Sequence, residues 1–275
     1  MKFDFKATDS ILFESAQDTP PTGPYKVTIE VDPTLPQYTI YRPEFSETPL
    51  PIIAWANGGC LKDGVFFGDF LNEIASWGYL IVADGVPNGQ DTGGGLMADP
   101  GPQTKAMDWT LVENERPCSQ YYHKLDTSKI AVMGQSCGGL MSIAAGTDPR
   151  VTTIIMWNSG LFERDDKIYS MLHAPMAIID GGPDDVAYEN GADDFKAINN
   201  VPIMFANHQG GHGGGYWQDN GGDSAIVGTA WLNWQLKGDT GPHGKGMFLG
   251  PSCGLCGDKP AWSDSKWSLQ FKMLQ

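Results

Sequence analysis

Short runs of apolar residues recur along the chain and predict the strands of a sheet. The run at 51–56 is continuously apolar, which is typical of a strand buried on both faces. The other runs are shorter but are bounded by glycine, proline and polar turn residues. The predicted strands cover residues 26–31, 38–42, 51–56, 79–83, 129–133, 151–156, 175–179 and 202–206.

Between most of these strands the apolar positions repeat with the period of a helix. From Phe67 to Ile74 they follow the i, i+3, i+4, i+7 spacing, and Gly78 stands where such a helix would stop. Further helices are predicted near 103–123, 138–145, 161–172, between the last two strands, and at 224–237. Alternating strands and helices imply an α/β fold, a mostly parallel sheet with helices on both faces. The first two strands lack a helix between them and are expected to form an antiparallel edge.

The pattern favours one domain over residues 1–275, with its core at about 25–237. Residues 239–275 show few periodic signals and are expected to wrap the surface as a tail. Only the stretch at 158–174 could cover a site, so we expect no large lid domain and an open cleft.

The composition limits the possible binding partners of the protein but says little about the reaction that it could catalyse. The formal net charge of −15 opposes binding to phosphate backbones and anionic lipid, so no nucleic-acid partner is expected. No apolar stretch approaches the roughly 20 residues of a membrane span, and the first residues lack the apolar run of a secretory signal. The protein is therefore expected to be intracellular or the mature form of a secreted one.

Cys253 and Cys256 could form a short disulfide or be two free thiols.

Ser136 is the candidate nucleophile. It lies in Gly134-Gln135-Ser136-Cys137-Gly138, between a buried strand and a predicted helix. So abrupt a turn strains the serine backbone and exposes its hydroxyl, and it needs small residues two positions to either side. The N–H group of Cys137 would then point from the helix N-terminus at an oxyanion on Ser136. The thiol of Cys137 is expected to be buried.

A second oxyanion donor is expected from the turn that follows the strand at 51–56. Glycines at 58 and 59 allow the backbone to direct N–H groups into a cleft. The predicted donor is the N–H of Gly59 or of Cys60.

A serine nucleophile needs a histidine base that a carboxylate orients. His208 and His212 both follow the strand at 202–206, whereas the remaining histidines fall at unsuitable places in the chain order. His212 is favoured because glycines on both sides let its loop reach the serine. His208 is close enough to the strand to be packed against it. The acid should follow the strand at 175–179, where Asp184 is favoured over Asp185 and Asp180 because it stands beyond a Gly-Gly-Pro turn.

Together these residues resemble the α/β-hydrolase superfamily, and within it the branch of chlorophyllases and cutinase-like polyester hydrolases. The resemblance rests on the Gly-x-Ser-x-Gly motif, the turn at 57–59, the segment 184–187 and the glycine-rich His212 loop, and it covers about residues 25–237. It implies hydrolysis of a small-molecule or polymeric carboxylic ester by Ser136, Asp184 and His212, without cofactor or metal. It also implies that Trp157 stacks against the substrate, although a tryptophan at a strand end can equally belong to the core. The turn Asn-Gly-Gly-Cys departs from the family's usual oxyanion sequence.

The same triad could serve a lactonase, an amidase or an acyl transferase, and the fold also occurs in non-catalytic binding proteins. A metal site is weakly indicated, because one Cys-x-x-Cys without a partner pair seldom makes a zinc centre. Loop aromatics that could border the cleft, and suit an apolar acyl group, are Phe162, Tyr188, Tyr216 and Trp217. Substrate identity and oligomeric state are left open.

Overall fold

A computed structural model describes residues 11–13, 19–90, 98–257 and 260–273. One sheet runs through this part of the chain. Its strands are β1 (Ile11–Phe13), β2 (Val27–Val31), β3 (Tyr38–Pro43), β4 (Leu50–Ala56), β5 (Leu80–Asp84), β6 (Leu125–Gln135), β7 (Val151–Trp157), β8 (Met176–Asp180), β9 (Ile203–His208) and β10 (Trp267–Lys272).

The spatial order of the strands is β1-β2-β3-β5-β4-β6-β7-β8-β9-β10. Pairing is parallel from β5 through β9 and antiparallel at both edges. The predicted α/β class, mostly parallel with an antiparallel first edge, is therefore confirmed. Strand β4 carries no exposed residue, as its continuous apolar run predicts.

The helices pack on both faces of this sheet. They are α1 (Gly68–Ser76), α2 (Gly101–Glu115), α3 (Cys137–Ala145), α4 (Asp166–Met171), α5 (Tyr188–Ala197) and α6 (Gly222–Lys237). Side chains of α1 and α6 share one buried cluster with alternate strand residues such as Ile53 and Trp55. Ile52 and Ala54 point the other way, into the cluster that α2 and α5 cover.

Two predicted helices are shorter in the structure. The helix expected over 103–123 ends at Glu115, because Pro117 cannot continue it and restricts Arg116 before it. The helix expected over 161–172 begins only after Asp165, whose carboxylate accepts the N–H groups of Lys167 and Ile168.

The expectation for the tail is wrong in part. Residues 267–272 form β10, which pairs antiparallel with β9 and closes that edge of the sheet. Trp267 and Phe248, also from the tail, are buried in the cluster beneath α6. Among the described residues no helix is long and apolar enough to cross a membrane.

Candidate active site

A cleft of about 310 Å³ opens at the carboxyl edge of the central parallel strands. Its walls come from the loops that follow β4, β6, β7, β8 and β9. The lining residues are Gly59, Cys60, Ser136, Cys137, Leu140, Asn158, Ser159, Gly160, Phe162, Val186, Ala187, Asn190 and His212. Ser136 and His212, predicted from the sequence, thus share one cleft with the three predicted oxyanion-hole residues.

Ser136 occupies the single position between β6 and α3. Its φ of 53° and ψ of −114° place its backbone in a region that residues other than glycine rarely adopt. Glycine is required on both sides of it. A Cβ at Gly138 would lie 1.9 Å from the carbonyl oxygen of Ala56, and one at Gly134 would lie 2.5 Å from the backbone of Gly138.

His212 lies between the serine and a carboxylate. Its Nε2 is 2.9 Å from Ser136 Oγ, and its Nδ1 is 2.7 Å from Asp185 Oδ1. Its loop is held in turn by Gln135, whose side-chain amide donates to the carbonyl of His212 at 3.0 Å. The His212 side chain is 35% exposed, so solvent reaches the imidazole.

The carboxylate that contacts His212 is Asp185, and the predicted choice of Asp184 is corrected on this point. The N–H of Asp185 donates to the carbonyl of Gly182 and closes a tight turn. Pro183 and Asp184 are the two central residues of that turn and are exposed to solvent. Asp185, the residue that closes the turn, is directed back into the protein with a fully buried side chain.

Hydrogen bonds keep the buried Asp185 ionised. Burial alone would raise its pKa, but donation from His212, from the N–H groups of Ala187 and Gly181 and from Asn158 outweighs it. The pKa of Asp185 is lowered to about 2. A carboxylate with this pKa stays negative throughout the neutral range, where it can orient a histidine and stabilise its charged form.

Asn158, which the sequence did not single out, and Tyr216 complete the site. Tyr216 was predicted only as a loop aromatic that could border the cleft, and it is instead fully buried beneath Asn158. Asn158 Nδ2 donates to Asp185 Oδ2 at 2.6 Å and to the carbonyl of Gly211 at 3.0 Å. The buried hydroxyl of Tyr216 donates to Asn158 Oδ1. Asn158 is completely buried and has a φ of 44°, a conformation that asparagine tolerates better than most residues.

The predicted oxyanion donors lie on two neighbouring segments that line the cleft together with Ser136. Cys137 is the first residue of α3, so its N–H has no partner inside the helix. Gly59 and Cys60 lie in a one-turn 3₁₀ helix (Gly58–Cys60) that follows β4. Cys60 and Cys137 are joined by a disulfide, so the thiol expected at Cys137 is a half-cystine. A second disulfide joins Cys253 and Cys256.

Trp157 does not reach the cleft, and its predicted substrate contact is corrected. It is fully buried and packs edge-on against Phe70 of α1 and Tyr216. The alternation of β7 directs its side chain into the core beside α6, where Gly228 leaves room for the indole.

The other candidates fall outside the hydrogen-bonded centre. His208 is buried against Trp267, and burial lowers its pKa. Asp180 is buried and accepts the N–H of Ser159 at 3.1 Å, while burial and the charge of Asp185 raise its pKa well above the ordinary value. Of the loop aromatics, Phe162 lines the cleft, whereas Tyr188 and Trp217 pack against Phe205 and Phe67.

No protein-family model matches this chain, and no curated protein sequence is significantly similar to it. Within the described residues, no group of three histidine, cysteine or acidic side chains is arranged to hold a metal ion.

Proposed function

We propose that this protein is a serine hydrolase of the α/β-hydrolase type that cleaves carboxylic esters through an acyl-enzyme on Ser136. The observation that carries the proposal is the pair of hydrogen bonds that links Ser136 Oγ to His212 and His212 to Asp185. The three residues follow β6, β8 and β9 in the chain order serine, acid, histidine, which is the order of that fold.

In the proposed reaction, Ser136 Oγ attacks the ester carbonyl while His212 Nε2 takes the hydroxyl proton. Asp185 stabilises the resulting imidazolium. The N–H groups of Cys137 and of Gly59 or Cys60 hold the oxyanion. His212 then gives its proton to the leaving alcohol, which breaks the ester bond. In the second half His212 takes a proton from a water, whose oxygen attacks the acyl-enzyme carbonyl. The bond from that carbonyl to Ser136 Oγ then breaks, His212 returns the proton to Ser136 Oγ, and the acid leaves.

The walls of the cleft favour an uncharged acyl group. Leu140, Phe162, Val186 and Ala187 are apolar, and His212 is the only residue among the described lining positions that can carry a charge. A carboxylate or ammonium on the acyl part would therefore lose its hydration without a partner. The resemblance to the chlorophyllase and cutinase-like branch favours the same class of apolar ester, either a small molecule or a polymer.

Substitution of Ser136 tests the proposal. Ser136→Ala should lower kcat for p-nitrophenyl butyrate by at least about 1000-fold, because the nucleophile is lost. It should also abolish labelling by a fluorophosphonate probe. Ser170→Ala, on the exposed side of α4, is the matched control and should behave as wild type. A wild-type protein that neither turns over esters nor takes the probe would contradict the proposal and favour a non-catalytic binding protein.

A further inference from the structure

One disulfide lies inside the cleft itself. Cys60 ends the one-turn helix after β4, Cys137 begins α3, and their Cα atoms are 5.3 Å apart although 77 positions separate them in the chain. Both half-cystines line the cleft beside Ser136. The bond thus joins the two backbone segments that would supply the donors of the oxyanion hole.

The two segments are held by different means. The segment at Ser136 is anchored by backbone bonds: its N–H donates to the carbonyl of Trp157, and its carbonyl accepts from Gly139 and Leu140. Cys137 follows directly and is fixed with it. This side of the oxyanion hole needs no further support.

The opposite segment is anchored at its ends but strained at its tip. The Asn57 side chain donates to the carbonyls of Leu61, Asp63 and Asp84, which holds the base of the turn. At the tip, Gly59 and Cys60 have φ values of 62° and 53°. Because Cys60 has a side chain, this left-handed conformation costs it about 1 kcal/mol or more. The disulfide is the covalent link between this strained tip and α3.

We propose that the Cys60–Cys137 disulfide is a positioning element that fixes the second oxyanion donor relative to the N–H of Cys137. The full rate of ester hydrolysis then requires the oxidised disulfide, and opening it slows the reaction while leaving the fold and substrate binding in place. The proposal rests on the serine-hydrolase function proposed above.

Opening the bond needs a reductant, and dithiothreitol supplies it. One thiolate of the reductant attacks a disulfide sulfur and releases the other cysteine as a thiol. The second thiol of the reductant then attacks the mixed disulfide and releases the remaining cysteine. The protein gains two electrons and two protons as two thiols, and the reductant becomes a cyclic disulfide. Cys60 is half-buried in the wall of an open cleft, within reach of such a small molecule.

The experiment uses the full chain in a Cys253→Ser, Cys256→Ser background, which removes the second disulfide. This variant is also the matched control, because it loses a disulfide outside the cleft and should hydrolyse p-nitrophenyl butyrate as wild type does. Cys118 is the free cysteine of the described chain, so reduction should raise the thiol count of this variant from one to three. A second variant, Cys60→Ser with Cys137→Ser, removes the cleft disulfide without reductant.

Reduction, or the Cys60→Ser, Cys137→Ser change, should lower kcat at least about tenfold with KM altered less than about threefold. Loss of one complete oxyanion donor costs about 100- to 1000-fold, and a displaced donor should cost less. The inhibition constant of phenylboronic acid should rise in parallel with the fall in kcat/KM, because its tetrahedral adduct uses the same donors. Reoxidation should restore the rate of the reduced enzyme.

Two results would overturn the proposal. The first is a kcat within twofold of wild type once the thiol count shows that the cleft disulfide is open. The second is a loss of the near-ultraviolet circular dichroism signal together with activity in both forms, which would assign the disulfide to the fold. Failure of the proposed function is distinguishable from either result, because the oxidised wild type would then already lack turnover and probe labelling.

Discussion

Replacing Asp185 by asparagine tests the centre of the site with the smallest change in shape. Asp185 Oδ2 accepts from Asn158 Nδ2 at 2.6 Å and from the N–H of Gly181 at 2.9 Å. Asp185 Oδ1 accepts from His212 Nδ1 at 2.7 Å and from the N–H of Ala187 at 2.9 Å. Both oxygens therefore face two donors each, and an amide can satisfy only one of these pairs.

The amide oxygen should take the Oδ2 position, because neither donor there can become an acceptor. The new NH₂ group then faces His212 Nδ1, which must accept rather than donate. The imidazole proton moves to Nε2 and points at Ser136 Oγ, so His212 can no longer take the serine proton.

The loss should be large and confined to kcat. An incorrect tautomer of this kind costs a serine hydrolase about 10³- to 10⁴-fold in kcat, or about 4 to 5.5 kcal/mol. KM for p-nitrophenyl butyrate should change little, since the Asp185 side chain is fully buried and does not line the cleft. Asp184→Asn removes the same charge at the exposed neighbouring position and should change kcat less than about twofold.

Thermal unfolding of both variants would show whether the protein remains folded after each substitution. A folded Asp185→Asn variant that keeps kcat within tenfold of wild type would refute the proposed role of Asp185. A larger loss of kcat in Asp184→Asn than in Asp185→Asn would refute it as well.

Two further predictions concern the cleft wall and the buried acid beneath it. Phe162, 66% exposed, should contact longer acyl chains, so Phe162→Ala should lower kcat/KM for p-nitrophenyl octanoate roughly fivefold, about 1 kcal/mol, and spare the acetate. Phe45→Ala, also at an exposed phenylalanine, should change neither rate, and equal losses for both esters would contradict the assignment. Burial and the charges of Asp185 and Asp194 raise the pKa of Asp180, so the folded state keeps a proton that the unfolded chain releases above about pH 4. The free energy of unfolding of wild type should therefore fall relative to Asp180→Asn as pH rises from 4 to 7. Urea titrations in which the difference stays constant would refute this.

The parallel strands were predictable because each must be apolar on both faces. The run at 51–56 and strand β4 agree to within one residue for this reason. Strand β10 was missed although Trp267, Leu269 and Phe271 alternate with polar residues. That alternation is the signal of an edge strand, but it lies in a tail whose other residues show no period.

Within the site, the elements closest to a strand end were the easiest to predict. The position of Ser136 could be predicted from the strand before it, the helix after it and the glycines around it. The choice between Asp184 and Asp185 depends on which N–H closes a turn at Gly182. The sequence pattern favoured Asp184 as the residue beyond the turn, whereas the hydrogen bond from Asp185 to Gly182 places Asp184 inside it. The Cys60–Cys137 disulfide joins residues 77 positions apart, and only the register of β4 against β6 brings them together.

Asn158 shows how a parallel sheet makes such a site rigid. It follows β7, and its one NH₂ group donates to Asp185 after β8 and to Gly211 after β9. Both partners are acceptors, so the orientation of the Asn158 amide is determined. The hydroxyl of Tyr216 donates to Asn158 Oδ1, the oxygen of the same amide. The loops that carry Asp185 and His212 are thereby both hydrogen-bonded to the loop after β7, which lies next to the loop of Ser136. Because the carboxyl ends of neighbouring parallel strands meet at one edge, a single buried amide can hold the acid and the histidine loop in register.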